Sequence, residues 1–379
     1  MSAPLSLYVH VPFCASRCGY CDFNTYTATE LGDDVRRDSF HEYLISEISQ
    51  AARQFDSDTT IETVFFGGGT PTLLGADALN ELLAAIEDNF AMAVDREVTT
   101  EANPDSVDPR MLEQLIEGGF TRISFGMQSS APHVLATLER THTPGASSAA
   151  AKAARVAGFE HVNLDLIYGT PGETDDDLRR SLDEVLDAHV DHVSAYSLIV
   201  EPGTALARRV QRGEIPMPDD DIAADRYELI DDRLTGAGFE WYEVSNWATP
   251  QGRCRHNMAY WSNANWWGIG PGAHSHLDGR RWWNVKHPHT YAQRVGAGLS
   301  PIHDEEHLTS EQQALEKLML GMRMKQGIAR TDIACADGVI DELHDRELIE
   351  HATIDDERRV VLTRKGRLLA DYVIRTLAT

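Results

Sequence analysis

Tyr8-Val-His-Val-Pro-Phe-Cys14-Ala-Ser-Arg-Cys18-Gly-Tyr-Cys21-Asp-Phe23 joins a β-branched and aromatic run directly to three cysteines, spaced by three and then two residues. The run Leu7 to Val11 reads as a first strand, and the cysteines fall on the loop that leaves it. A four-iron cluster normally takes four thiolates, yet this loop offers three and no fourth cysteine lies nearby. One iron is therefore left for an exchangeable ligand. An open iron beside a reducible cluster is best used to engage S-adenosylmethionine (SAM). Two plainer readings compete: a Cys3His zinc site completed by His10, and a ferredoxin. A zinc knuckle rarely follows a barrel-type first strand, and ferredoxins carry four cysteines, so the cluster leads.

The chain has 5 cysteines, an odd number, and the triplet holds three of them, which argues against a disulfide framework. Cys335 reads as a buried small apolar residue. Cys254 is less plain, because it stands two residues before His256.

Working outward from the first strand, short β-branched and aromatic runs alternate with helical patterns, the signature of βα units around a parallel sheet. Six strands are read: Leu7 to Val11, then runs opening at Thr63, Glu97, Arg122, Val162 and His192. Apolar residues at Phe40, Leu44, Ile45, Ile48 and Ala52 predict a helix over 37–55. Asp108 and Pro109 open a second helix that Gly118 closes, and Thr174 with three following aspartates opens a third. From Trp241 to Trp283 the pattern changes: all 7 tryptophans fall there, with His256, His274 and His276 among them. From about Leu308 the chain reads as helices, a short strand at Val360 and a last helix from Arg364. Thr309 and Gln312 form a capping box, and Leu315, Leu318, Met319 and Met322 an apolar face. These shifts divide the chain into 1–240, a core barrel; 241–300, a Trp/His-rich connecting segment; and 301–379, a small, mostly helical, winged-helix-like domain.

A second motif, Phe65-Phe-Gly-Gly-Gly-Thr-Pro-Thr72, ends the second strand, where glycines admit a ligand close to the backbone. It lacks the lysine of a nucleotide-binding loop. The next strand ends deliver Glu101, Gln128 and Asp165, with Arg140 on the way into the following helix. Singly each is an ordinary surface or ion-pair residue. Together they supply what a ligand with an ammonium, a carboxylate and a ribose diol requires, and parallel barrels place functional residues at strand C-termini.

The 34 basic and 60 acidic side chains leave a net charge of -26, which repels a phosphate backbone and makes nucleic acid a poor partner. No apolar run is long enough to cross a bilayer, and the N-terminus lacks the basic start and cleavage site of a signal peptide, so a cytoplasmic location without stable membrane insertion is expected.

The cysteine triplet, the glycine motif, Thr100-Glu-Ala-Asn-Pro-Asp105, Arg122-Ile-Ser-Phe-Gly-Met-Gln-Ser129, the strand at Asn163, and the later His256-Asn-Met-Ala-Tyr-Trp261 and Gly268-Ile-Gly-Pro-Gly-Ala-His-Ser275 resemble the radical SAM family of anaerobic coproporphyrinogen III oxidases. The likeness spans nearly the whole chain. It implies an α/β fold built on a partial (β/α)6 TIM-like barrel, a [4Fe-4S] cluster on Cys14, Cys18 and Cys21, and SAM contacts from Tyr8, Tyr20, Gly68, Gly69, Thr70, Glu101, Gln128, Arg140 and Asp165. Oxidases of the family continue the triplet with a fourth cysteine two residues on, where this chain has Phe23. They also carry a long N-terminal extension, whereas thirteen residues precede Cys14 here. Both differences favour the HemW-like heme chaperones, marked by His256-Asn-Met-Ala-Tyr-Trp261, which bind heme and pass it to acceptor proteins. That branch implies heme as cargo with His256 as its ligand and requires no catalysis; the alternative is a coproporphyrinogen III oxidase or another radical SAM enzyme. An imidazole ligates heme iron and an aromatic such as Trp261 packs on a macrocycle, although a hydrogen-bonded packing cluster explains the same residues equally well. Cys254 ranks as a second, weaker iron ligand, and Trp266, Trp267, Trp282 and Trp283 are left unassigned.

Overall fold

Alternation along the first strand sets the architecture. In β1 (Leu5–Val11), Leu5, Leu7, Val9 and Val11 are buried in the apolar core, while Ser6, Tyr8 and His10 take the opposite face. The computed structural model describes residues 4–31, 35–56, 59–141 and 143–378. Parallel strands β2 (Thr60–Gly68), β3 (Ala91–Ala102), β4 (Arg122–Gln128), β5 (His161–Tyr168) and β6 (His192–Ser197) follow in order beside β1. All six strands read from the sequence are present.

Each of the first five strands is followed by a helix that covers the apolar outer face. The helix Phe40–Ala52 buries Phe40, Leu44 and Ile48, and Pro109–Glu117 is capped by Asp108, whose carboxylate accepts from Met111 N at 2.8 Å. Asp175–Asp187 starts with a full capping box between Thr174 and Asp177, as its sequence predicted. Val64, Phe66, Val98, Ile123, Phe125, Leu164 and Val193 fill the layer between sheet and helices.

The inner face is polar. Register pairs Ser6 with Thr63, Thr63 with Glu97, Ser124 with Asn163, and Asn163 with His192, so one hydrophilic lining runs around the arc. The sheet is open and extends beyond the six-strand arc on both sides. β7 (Glu240–Glu243) and β8 (Asn246–Ala248) add antiparallel to β6. β9 (Asn265–Ile269) pairs parallel with β1, and β10 (His274–Leu277), β11 (Arg280–Asn284) and β12 (Ile302–His307) continue antiparallel to give twelve strands. Segment 241–300 is thus part of the sheet at both ends, more than the connection its composition suggested.

The C-terminal part has its own three-stranded sheet of β13 (Ile328–Ala329), β15 (Glu357–Leu362) and β14 (Ile349–Ile354). Helices Ser310–Gly321, Asp337–Asp345 and Ala370–Leu377 pack on it around Leu318, Met322, Ile340, Leu343, Val360 and Val373. The Thr309–Gln312 capping box forms, but Leu315 and Met319 are 45% and 38% exposed, so half of the expected apolar face is uncovered. Arg367 lies 3.9 Å over the Trp241 ring and contacts Asp231 at 3.3 Å, joining this unit to the core. Among the described residues no helix is long and apolar enough to cross a membrane.

Candidate functional site

The cysteine loop is held against the end of the barrel by backbone hydrogen bonds. Gly69 N donates to Val11 O at 2.8 Å, Thr70 N to Phe13 O at 2.7 Å, and Cys14 N to Tyr26 O at 3.0 Å. Glycine is required for this approach: a Cβ on Gly69 would stand 2.3 Å from Phe13 O and 3.1 Å from Cys14 Sγ. Cys14, Cys18 and Cys21 are free, half-buried, and line one cavity. Among the described residues no three His, Cys, Asp or Glu side chains converge on a single ion, which a cluster with a separate iron for each thiolate does not require.

The zinc alternative loses its fourth ligand. His10 Nε2 donates to Asn24 O at 2.9 Å, so Nδ1 is the acceptor of the Tyr8 hydroxyl at 3.0 Å, and neither nitrogen is left for a metal.

Tyr20, Gly68, Gly69, Thr70, Glu101, Gln128, Arg140 and Asp165 line the cavity of the cysteines, about 150 Å³ in volume. Tyr8 lines an adjoining cavity of about 640 Å³. Arg17, Phe23 and Gly68 belong to both walls. Arg140 donates to Cys18 Sγ at 3.4 Å and to Gly126 O at 3.0 Å, while its buried Nε has no partner among the described residues. Gln128 is buried with φ of 67°, at the irregularity where β4 slips against β5, which turns its amide into the cavity. A side chain on Gly126 would meet both, 2.8 Å from Arg140 Nη2 and 2.9 Å from Gln128 Nε2.

Two carboxyls oppose each other here. Burial first, then the Asp165 charge, push Glu101 up to about 8, although it accepts from Gly68 N at 3.1 Å. Asp165 is also raised, by burial, against bonds from Ser124 Oγ at 3.0 Å and Asn163 Nδ2 at 2.7 Å. An unpartnered guanidinium atom, three thiols and an acidic pair suit a cluster together with a ligand that is cationic at one end and carboxylate at the other. Ser124, Asn163, Ser194 and His192 form the layer below Asp165 and were not singled out in the sequence. Their signal was the polar residue at every second strand position.

His256 does not face either cavity. The helix Arg255–Trp261 lies against the inner face of the sheet, and the His256 ring is buried, stacked on Phe65 at 5.1 Å. Thr63, whose hydroxyl donates to Ser6 at 2.9 Å, accepts from His256 Nδ1 at 2.7 Å, and His256 Nε2 then accepts from the Tyr260 hydroxyl at 2.9 Å. Burial pushes the ring down to about 4, keeping it neutral. Both nitrogens of His256 are engaged in this structure, and the residue holds Tyr260, which does line the larger cavity. Cys254 is buried too, 3.4 Å from Glu97 Oε1, and Cys335 is a core residue as expected. Trp267 and Trp282 pack in the core with ring centroids 4.7 Å apart, whereas Trp266 reaches the cavity wall and Trp283 stacks on His274. Phe23 is 61% exposed at the junction of the cavities.

Residues 8–185 match the model of the radical SAM superfamily. The chain is 52% identical to heme chaperone HemW of Mycobacterium tuberculosis over 99% of its length and 95% of that protein's. It is 33% identical to heme chaperone HemW of Bacillus subtilis, covering 97% of each chain. The solved structure of Escherichia coli coproporphyrinogen III oxidase (HemN), a radical SAM enzyme, superposes with a TM-score of 0.84 at 24% identity, covering 100% of this chain and 90% of that one. That likeness carries the α/β partial-barrel fold and nothing about the reaction.

Proposed function

The chain belongs to the HemW family of radical SAM proteins, and from that premise we propose that it is a heme chaperone, which binds heme and passes it to acceptor proteins. Cys14, Cys18 and Cys21 hold a [4Fe-4S] cluster, and Tyr8, Tyr20, Gly68, Gly69, Thr70, Glu101, Gln128, Arg140 and Asp165 bind SAM at its open iron. Such a cluster supplies one-electron reduction of the bound ligand. The single observation that carries the reading is one cavity shared by three thiols and the strand-end set, opening beside a larger cavity at Phe23. Phe23 stands where an oxidase places a further cysteine, which favours a carrier of finished heme over a porphyrinogen oxidase. The protein works in the cytoplasm on this reading.

Anaerobic reconstitution followed by hemin titration tests it, with iron, sulfide and SAM cleavage products measured on the same sample. Saturable binding of one heme is expected, without formation of the divinyl product from coproporphyrinogen III. Turnover to that product would replace the chaperone with an oxidase.

Glu101 gives the SAM assignment a pH signature. With its value raised to about 8, the carboxyl is mostly protonated at pH 7 when no ligand is bound. A cationic ligand favours the carboxylate, so binding expels the proton, and affinity rises with pH until about 8 and then levels. Calorimetry in buffers of different ionisation enthalpy should record release of up to one proton at pH 7. Glu101→Gln should abolish the release; a wild-type value of zero would remove Glu101 from the ligand site.

A further inference from the structure

We propose that the ring of Tyr260 is a gate between the 640 Å³ cavity and Nε2 of His256: its hydroxyl holds the place that a heme iron takes, and the ring turns aside when heme loads. The inference rests on the heme-chaperone reading with His256 as the iron ligand, and it says how a histidine closed off from the cavity is reached.

The spacing of the motif brings the two side chains together. His256 and Tyr260 stand four residues apart on the helix Arg255–Trp261, so they share one of its faces. On one side His256 is prepared as a metal ligand. Thr63 Oγ1 accepts from Nδ1 at 2.7 Å, the kind of bond that fixes the tautomer and orientation of a ligating imidazole, and Phe65 stacks on the ring. Burial keeps the ring neutral, the form that binds iron. On the other side it is blocked. This tautomer leaves the lone pair on Nε2, and the Tyr260 hydroxyl donates to it at 2.9 Å. Burial, then the Cys254 and Glu101 charges, hold that phenol protonated and so able to donate. A phenol proton and an iron compete for one lone pair.

Tyr260 is also the member of this group that is free to move. Of Thr63, Phe65 and Tyr260, which hold the imidazole, Tyr260 alone lines the cavity. Of the 7 residues of the helix only His256 is buried, so the tyrosine is not locked into an apolar core. Its ring meets His256 edge to face at 4.8 Å and Trp266, a further lining residue, at 5.0 Å. An aromatic side chain on a helix has two favoured χ1 wells, and the cavity is space into which the ring can turn. Once turned, it offers its face beside Trp266 to a macrocycle. What closes the gate is one hydrogen bond between neutral groups, worth roughly two- to tenfold in population. The gate therefore scales heme uptake by the fraction of molecules in which it is open.

Hemin is mixed with cluster-reconstituted wild type, Tyr260→Phe, Tyr260→Ala and His256→Ala, and the association rate, the affinity and the spectra of the ferric and ferrous CO forms are read. Tyr260→Phe keeps the ring and loses the closing bond, so it should associate faster and bind tighter than wild type by roughly two- to tenfold, with the same imidazole-ligated spectrum. Tyr260→Ala should associate faster still but also release faster, because no ring is left to pack on the macrocycle. His256→Ala should lose the imidazole spectrum, and added free imidazole should restore it. Iron and sulfide equal to wild type would establish that each variant is folded. Without hemin, diethyl pyrocarbonate should label His256 in Tyr260→Ala and leave it unlabelled in wild type, read by peptide mass. If no form binds hemin saturably, the chaperone reading fails and the gate falls with it. If wild type binds hemin but neither Tyr260 variant associates faster, or His256→Ala keeps the imidazole spectrum, or His256 is labelled equally in both proteins, the gate is overturned and the chaperone reading stands.

Discussion

Replacement of Glu97 by alanine should lower the stability of the ligand-free protein by about 3–5 kcal/mol, the usual cost of stripping one partner from a buried ion pair. Glu97 and Arg122 are both buried and meet at 3.3 Å. The same carboxylate accepts from Arg255 N and His256 N, both at 3.0 Å, and from the Cys254 thiol at 3.4 Å. Arg122 also donates to Gly252 O and Arg253 O, at 2.7 and 3.0 Å, so its charge stays lodged in the barrel after the truncation. The two backbone donors at the start of the helix Arg255–Trp261 lose their acceptor in addition. Denaturant unfolding of wild type and variant gives the number, and a loss below about 1 kcal/mol would mean that water replaces the carboxylate without cost. The damage should spread to the larger cavity, because this helix carries Tyr260, and hemin affinity should fall while the cluster still assembles. Acid should mimic the mutation. Burial pushes Glu97 upward, but Arg122 and the backbone donors outweigh it and leave it below its ordinary value. Its stabilisation is therefore present above about 4.5 and is lost as pH falls through the lowered value.

Gly69→Ala should cost about 1–3 kcal/mol and prevent the cluster from assembling, although no cysteine is touched. The added methyl meets the Phe13 carbonyl at 2.3 Å, and backbone cannot swing aside as a side chain does. Relief requires separating the glycine loop from the cysteine loop, which breaks the bonds from Gly69 N to Val11 O and from Thr70 N to Phe13 O. The Cys14 sulfur, 3.1 Å from the same methyl, moves with them. Iron and sulfide analysis after reconstitution should give less than about a tenth of wild type. Gly338→Ala, where a methyl meets nothing and φ is ordinary for any residue, is the control and should assemble a full cluster. Full assembly in Gly69→Ala would show that the two loops tolerate separation.

The parts of this molecule that were legible in the sequence are those governed by local rules. Six strands and three of the helix caps were readable because a period of two and a capping side chain need no distant partner. The strand-end residues were findable because parallel βα order forces all strand C-termini to one side. What stayed hidden depends on contacts across the chain. His256 reads as an available imidazole until Thr63, 193 residues earlier, and Phe65 are seen to cover it. Glu97 looks like any polar strand residue until Arg122 and the helix at Arg255 converge on it. The Trp-rich segment was opaque for a related reason, since alternation along β9 and β11 sends Trp267 and Trp282 to the core and Trp266 and Trp283 to the other face, and composition does not record sides.

Phe23 carries a thermodynamic obligation as well as a family mark. Its exposed ring is a wall common to both cavities, as are Arg17 and Gly68. A ligand that shifts this wall from one side changes the free energy of filling the other, and linkage makes the exchange symmetric. With SAM in the smaller cavity and heme in the larger, as the proposed function would have it, whatever factor one imposes on the affinity for the other is returned in equal measure. A small side chain at position 23 should reduce both factors together toward unity. The cluster end of the molecule would then act as a gauge of whether the cargo is aboard, read through a single aromatic ring.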